Sequence, residues 1–281
     1  MTWNASTFFR LVWRDKIAFL SLCVLVVWIL VALVPFVFTG FAQIPVDLRT
    51  RLQGPSAEFW FGVDSNGQSV GLLLLNGALT SFIVSLFTVS MCLFVGIPLG
   101  AIAGYFGGKI DMIISRIMDI LLAFPPMVLP IAITAFFGGG LVNVVIALSV
   151  SGWVSYARLV RGQFLSFKER EFVLAARALG ATHGRMMWRH IFPNVISPLA
   201  VQSTFALASV IIAEAGLSFL GLGVSADHVS WGGILNVAKD YLTTNPSLAF
   251  FPALALFSIV ASLNFLGEAL RLSFDPKSMG N

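Results

Sequence analysis

Long apolar runs alternate with polar stretches along the whole chain. Apolar residues dominate 17–38, 72–105, 112–137, 141–160, 196–220 and 246–270. Each run reaches the ~20 residues that a helix needs to cross a bilayer. The second is long enough for one tilted span with a helical extension. The third carries Pro125, Pro126 and Pro130, which bend a span and free backbone carbonyls that a neighbouring helix or water must satisfy. The pattern predicts an all-α membrane protein with about six transmembrane helices. Polar intervals separate the runs: 39–71 and 221–245 on one side, with the Gly107–Asp111 turn and the long segment 161–195 on the other. Gly138–Gly140 makes a tight turn between the third and fourth runs.

Composition agrees with the periodicity. Hydrophobic residues make up 58% and charged residues 11% of the 281 positions, with mean hydropathy +0.91. A soluble domain carries roughly 25% charged residues. The net charge of +4 could suit nucleic acid, but the basic residues are scattered between apolar runs, so no nucleic-acid partner is expected. Their scatter has a direction. Of the 17 lysines and arginines, all but Arg49, Arg51 and Lys239 fall on one side of the six-span layout. Such a bias over short loops marks the cytoplasmic side. The N-terminus (1–16), the segment 161–195 and the tail (271–281) are therefore expected in the cytoplasm. The run 17–38 exceeds the about 7–15 apolar residues of a cleaved signal peptide and reads as an anchor. Cys23 and Cys92 lie inside apolar runs without metal-ligand spacing.

The segment Glu169–Val195 is the most polar long stretch in the chain. Phe172, Val173, Ala176 and Leu179 fall on the stripe of an amphipathic helix. Gly180 suits a helix C-cap, where positive φ is cheap. A second helical pattern then carries Arg185, Met186, Met187, Trp188, Arg189 and His190, and Pro193 is expected to close it before the next span. On spacing alone two readings stand open: a helix lying on anionic headgroups, or a helix docking into a groove of a cytoplasmic partner.

The residues of this segment resemble the cytoplasmic loop of the membrane subunits of binding-protein-dependent ABC importers. That loop reads E-A-A, three residues, G, nine residues, I, any residue, L-P. Here Leu174-Ala175-Ala176 occupies the triplet, Gly180 the glycine, and His190-Ile191-Phe192-Pro193 the end. Leu174 replaces the glutamate and His190 stands at the isoleucine, while Glu171, one turn upstream, is a substitute acid. The departures are similar to the dipeptide/oligopeptide/nickel branch, as are FGVDSNGQSV, GIPLGAIAGYFGG, GWVSYARLVRGQ, EAGLSFLGLG, SWGGIL and NFLGEALR, with Val63, Gln68 and Ser69 departing from the first of these motifs. The match runs from about Arg51 to Pro276, and a single span before the FGVD motif resembles the C-type permease of a pair.

The resemblance implies a type I importer-like permease in a bacterial inner membrane, with 72–270 as a five-helix core and 161–195 as its coupling segment. It implies a second homologous permease, two cytoplasmic ATPase subunits and an extracytoplasmic solute-binding protein as partners. The solute is expected to be a di- or oligopeptide, with nickel or another small solute as the alternative. Glu171, Ala175, Ala176, Arg177 and His190 are the expected ATPase contacts, Gly180 the bend and Pro193 the exit. The chain contains no G-x-x-x-x-G-K-[ST] motif, so no cofactor is expected here, and ATP and magnesium fall to the partner ATPase.

Two acids lie inside apolar runs, Asp119 and Glu214. Acids at such depth are functional candidates because desolvating them is costly. Each could line the translocation path or make a structural bond between spans, for Asp119 an ion pair with Arg116 or with a facing helix. Trp231 could contact the binding protein or anchor at the interface. Two other classes compete. A secondary transporter would show inverted repeats and paired intramembrane charges, which the sequence lacks. An enzyme would need a nucleophile–base pair or metal ligands, whereas His183, His190 and His228 fall on both sides of the membrane.

Overall fold

The computed structural model describes residues 13, 15–38, 44–224 and 228–274. The expectations for most of the N-terminus, including Arg10 and Arg14, and for the tail beyond 274 lie outside the described residues. Among the described residues there are helices and no strand. They are α1 Lys16–Phe38, α2 Val70–Phe106, α3 Gly108–Leu122, α4 Val128–Phe137, α5 Leu141–Phe167, α6 Glu171–Ala178, α7 His183–Phe219, α8 Trp231–Ala238 and α9 Ser247–Ser273. Five of them, α1, α2, α5, α7 and α9, are long and apolar enough to cross a membrane. Their outward faces carry exposed apolar side chains such as Phe87, Phe94 and Phe257, which suits a hydrocarbon solvent.

The third expected span, 112–137, is not one helix. α3 stops at Leu122 and α4 starts at Val128, with Pro125 and Pro126 between them. Neither proline can donate a backbone N–H, and each disfavours helix at the residue before it. Pro130 is harmless because it sits in the first turn of α4, where the N–H would have no helical partner. The fifth span also differs. Pro193 does not close a separate helix, because α7 runs unbroken from His183 through Pro193 to Phe219. A wide π turn at Met186–Ile191 precedes the proline, with Phe192 N–H bonding the Met187 carbonyl. The Asn194 amide donates to the His190 carbonyl at 2.8 Å, a side-chain bond beside a proline that has no N–H to give.

The polar interval 221–245 is not an irregular loop: its described residues hold α8 and a short 3₁₀ turn at Lys239–Tyr241. Ser230 caps α8 by accepting from Gly233 N–H at 3.1 Å. Trp231 neither faces solvent nor anchors at an interface. It is fully buried, donates from Nε1 to the Leu74 carbonyl at 3.0 Å, and meets Trp28 edge-on at 5.0 Å. Trp28 in turn donates to Ser258 Oγ at 2.8 Å, tying α1 to α9. The 44–69 stretch folds over the same end. There the Asp64 carboxylate accepts from the N–H groups of Asn66 and Gln68, and Asn245 reaches the Leu52 carbonyl.

The tightest seam is between α2 and α5. Gly96, Gly100 and Gly104 recur every fourth residue on α2 and so form one stripe. A Cβ on Gly96 would lie 2.7 Å from the Trp153 carbonyl, and one on Gly104 2.6 Å from the Arg161 carbonyl. A Cβ on Gly100 would press on the Ala157 carbonyl. Small residues at regular spacing let two helix backbones touch, which is how spans associate where lipid removes the hydrophobic drive between them. Forcing side chains into a packed seam costs about 1–3 kcal/mol. Gly100→Val is therefore expected to lower the thermal midpoint of the detergent-solubilised protein by at least several degrees. Gly162→Ala, on α5 with open space around it, should leave the midpoint unchanged in the same assay.

Candidate functional site

α6 is attached to the body of the protein by one face only. Val173 is its single buried residue and joins a cluster with Phe164, Met186, Ile191 and Val195. Burying one valine from water contributes about 1.5 kcal/mol, so the helix is held but not enclosed. The other face lies open. Glu171, Phe172, Leu174, Ala175 and Arg177 are exposed, and Leu179 is 89% exposed. With Phe172 and Leu174 it makes this face of the helix both apolar and exposed.

The end of α6 is geometrically rigid. Gly180 takes φ +82°, its N–H bonds the Arg177 carbonyl, and Ala181 N–H bonds the Ala176 carbonyl. These are the two bonds of a Schellman cap, which needs a left-handed residue after the last helical one. Nothing crowds Gly180, so backbone conformation alone demands glycine there. Thr182 then caps α7 by accepting from Arg185 N–H.

The residues expected to dock do not form one uniform surface. Glu171, Ala175 and Arg177 are exposed on α6, Ala176 is half-buried, and Gly180 lies in the turn. His190 and Pro193 belong to the start of α7, where His190 is half-buried and its carbonyl is taken by Asn194. Sequence reasoning missed the residues that fix this platform. Tyr105, near the C-terminal end of α2, shares a 2.8 Å hydrogen bond between its hydroxyl and His183 Nδ1 at the first residue of α7. The signal available was a lone tyrosine ending the run GIPLGAIAGYFGG. Arg161 on α5 holds Asp111 with two bonds, of 2.5 and 2.8 Å, pinning the start of α3.

The two acids inside apolar runs separate in role. Asp119 pairs with Arg158 of the facing α5 at 2.9 Å, not with Arg116, and both side chains are more than half exposed. Glu214 is wholly buried among hydroxyls. Ser218 Oγ donates to Oε1 at 2.7 Å and Ser81 Oγ to Oε2 at 3.3 Å. A groove of about 590 Å³ runs along the α3–α4 break, lined by Pro125, Pro126 and Pro130 with Ser151, Ser155 and Ser209. Asp119 lies one helical turn before Leu122 and Arg158 one turn after Ser155, at one end of this groove. Glu214 does not line it.

The family described as the binding-protein-dependent transport system inner membrane component matches residues 96–279. The chain is 39% identical to the dipeptide transport system permease protein DppC of Alkalihalophilus pseudofirmus, over 96% of this chain and 88% of that one. It is 40% identical to the glutathione transport system permease protein GsiD of Pectobacterium atrosepticum, over 80% and 75%. It is 36% identical to the nickel transport system permease protein NikC of Escherichia coli K12, over 92% and 93%. In fold it is similar to the inward-facing MetNI methionine ABC transporter, with TM-score 0.61 and 20% identity over 73% of this chain and 97% of that one.

The Arg161 guanidinium bonded to Asp111 holds that carboxyl below its ordinary value. The pair's stabilisation is therefore present above the usual carboxylate range, near 3.9, and is lost as pH falls through the lower folded value. The thermal midpoint of the solubilised protein should fall on acidification below about pH 4. Asp111→Asn should start from a lower midpoint at pH 7 and show a shallower acid decline.

Proposed function

This chain belongs to the family of binding-protein-dependent transport system inner membrane components, and from that premise we propose that it forms half of a peptide path driven through α6. It is a permease subunit of an ABC importer and not itself an enzyme. The solute is a di- or oligopeptide. Two of the relatives named above serve dipeptide and glutathione systems at 39% and 40% identity, and glutathione is itself a small peptide. The groove at the α3–α4 break supports the same reading, because it offers hydroxyls and proline-freed carbonyls to a peptide backbone. Nickel, the cargo named for a 36% identical relative, is the second reading.

The observation that carries the mechanism is the open face of α6 on a rigid mount. The ATPase subunit takes Glu171, Ala175, Arg177 and Leu179 into a cleft, with ATP and magnesium bound in that partner. Closure of the ATPase pair displaces α6. The Val173 cluster and the Tyr105–His183 bond pass the displacement to α2 and α7. These helices have 37 residues each, about 55 Å against a hydrocarbon core of about 30 Å, so both project beyond the bilayer as levers. A second, homologous permease completes the path, and an extracytoplasmic binding protein delivers the peptide. Both termini lie in the cytoplasm, as the distribution of lysine and arginine supports.

Gly180→Asp puts a side chain on a left-handed backbone at a cost of roughly 1–2 kcal/mol and misdirects the turn without touching a span. The variant should insert at wild-type level, whereas the co-purified ATPase or the ATP-driven peptide uptake in proteoliposomes should fall at least tenfold. Unchanged ATPase binding and uptake would sink the docking assignment. Peptide uptake into vesicles lacking any ATPase would sink the importer reading itself.

A further inference from the structure

Glu214 is wholly buried, bonds to hydroxyls and no cation among the described residues, and does not line the groove at the α3–α4 break. Its partners explain its place. Ser218 is its own neighbour one turn along α7 and Ser81 belongs to α2, and both donate to it. Ser230, the N-cap of α8, lies beside the same carboxylate. It accepts from Gly233 N–H, which leaves its own hydroxyl proton free to be donated. One carboxylate thus joins two helices by hydrogen bonds and sits against the start of a third. The neighbouring residue, Ala215, presses its carbonyl against Gly232, so α8 can lie directly on α7.

This node has a counterpart at the other end of the same two helices. α2 and α7 run antiparallel and are joined near the cytoplasm by Tyr105 and His183. They are joined toward the outside by Ser81 and Glu214. The two joints are about 36 Å apart along α2. A pair of long rods pinned at both ends moves as a frame, whereas rods pinned at one end can splay. Trp231, donating to the Leu74 carbonyl, fastens α8 to that frame.

We propose that Glu214 is a positioning residue for transport: it latches the outer helix α8 to the levers α2 and α7, so that the outer mouth follows the displacement delivered at α6. This rests on the importer reading above. The latch works by accepting hydrogen bonds, not by binding an ion. A carboxamide in its place keeps an acceptor for Ser218 and donates to the hydroxyls of Ser81 and Ser230, which accept equally well.

The test compares Glu214→Gln, Glu214→Leu and Ser81→Ala in the full importer, reconstituted with its ATPase, binding protein and a dipeptide. In Glu214→Leu, peptide moved per ATP hydrolysed should fall at least tenfold while ATPase activity stays within twofold. Glu214→Gln should stay within twofold of the parent, and Ser81→Ala should fall between them. Hydrogen exchange of the α8 amides needs no transport and reads the latch alone: it should quicken at least tenfold in Glu214→Leu and remain slow in Glu214→Gln. A wild-type coupling ratio in Glu214→Leu would overturn the latch. So would a Gln variant as defective as the Leu variant, because the charge itself would then be the working feature. If Glu214→Leu does not assemble, an unchanged ratio in Ser81→Ala overturns it. A parent complex that hydrolyses ATP without moving any peptide counts against the importer reading, and the exchange result at α8 then decides the latch separately.

Discussion

The packing of α2 against α5 through Gly96, Gly100 and Gly104 is the constraint on which the rest depends. In lipid, apolar side chains gain little by leaving one hydrocarbon for another, so helices hold together by close contact and interhelical hydrogen bonds. The glycine stripe supplies that contact over about two turns. It also sets where everything else lands. α5 held at backbone distance carries Arg158 and Arg161 to Asp119 and Asp111, which places α3. The same helix carries Phe164 into the cluster that holds Val173, which places α6.

Two kinds of joint follow from that arrangement. The one at α6 is largely exposed, with a single buried side chain in that helix and a glycine whose φ of +82° fixes the turn. The one at α8 is closed off, with Trp231 and Glu214 both fully buried and hydrogen-bonded. The helix break at Pro125–Pro126 lies between the two, where irregular backbone is tolerated only if it lines a cavity. The groove there meets that condition.

Much of this was legible in the chain. Run length and the charge bias point to the spans and their orientation, since both are one-dimensional quantities that the bilayer reads directly. The Gly180 cap was legible because φ at a helix end is a local property. The break at Pro125–Pro126 was only half legible: proline announces a distortion, but whether the helix bends or stops depends on what surrounds it. Trp231 was misread because its neighbours Gly232 and Gly233 look like a loop, while its burial depends on Leu74 and Trp28, more than 150 residues away in sequence.

By itself, the sequence determined the all-helical membrane character, the polar island at Glu169–Val195 and the resemblance that names its family, because hydropathy, charge and motif order need no contact between distant residues. The tertiary structure alone decided which partner each acid inside an apolar run takes. Asp119 could have met Arg116 one turn away and instead meets Arg158. Glu214 could have faced a pore and instead accepts from Ser81 and Ser218. In a low-dielectric interior an unpaired polar group costs several kcal/mol, so each must find a partner. Which one it finds is settled by helix packing, which in this chain rests on the glycine seam.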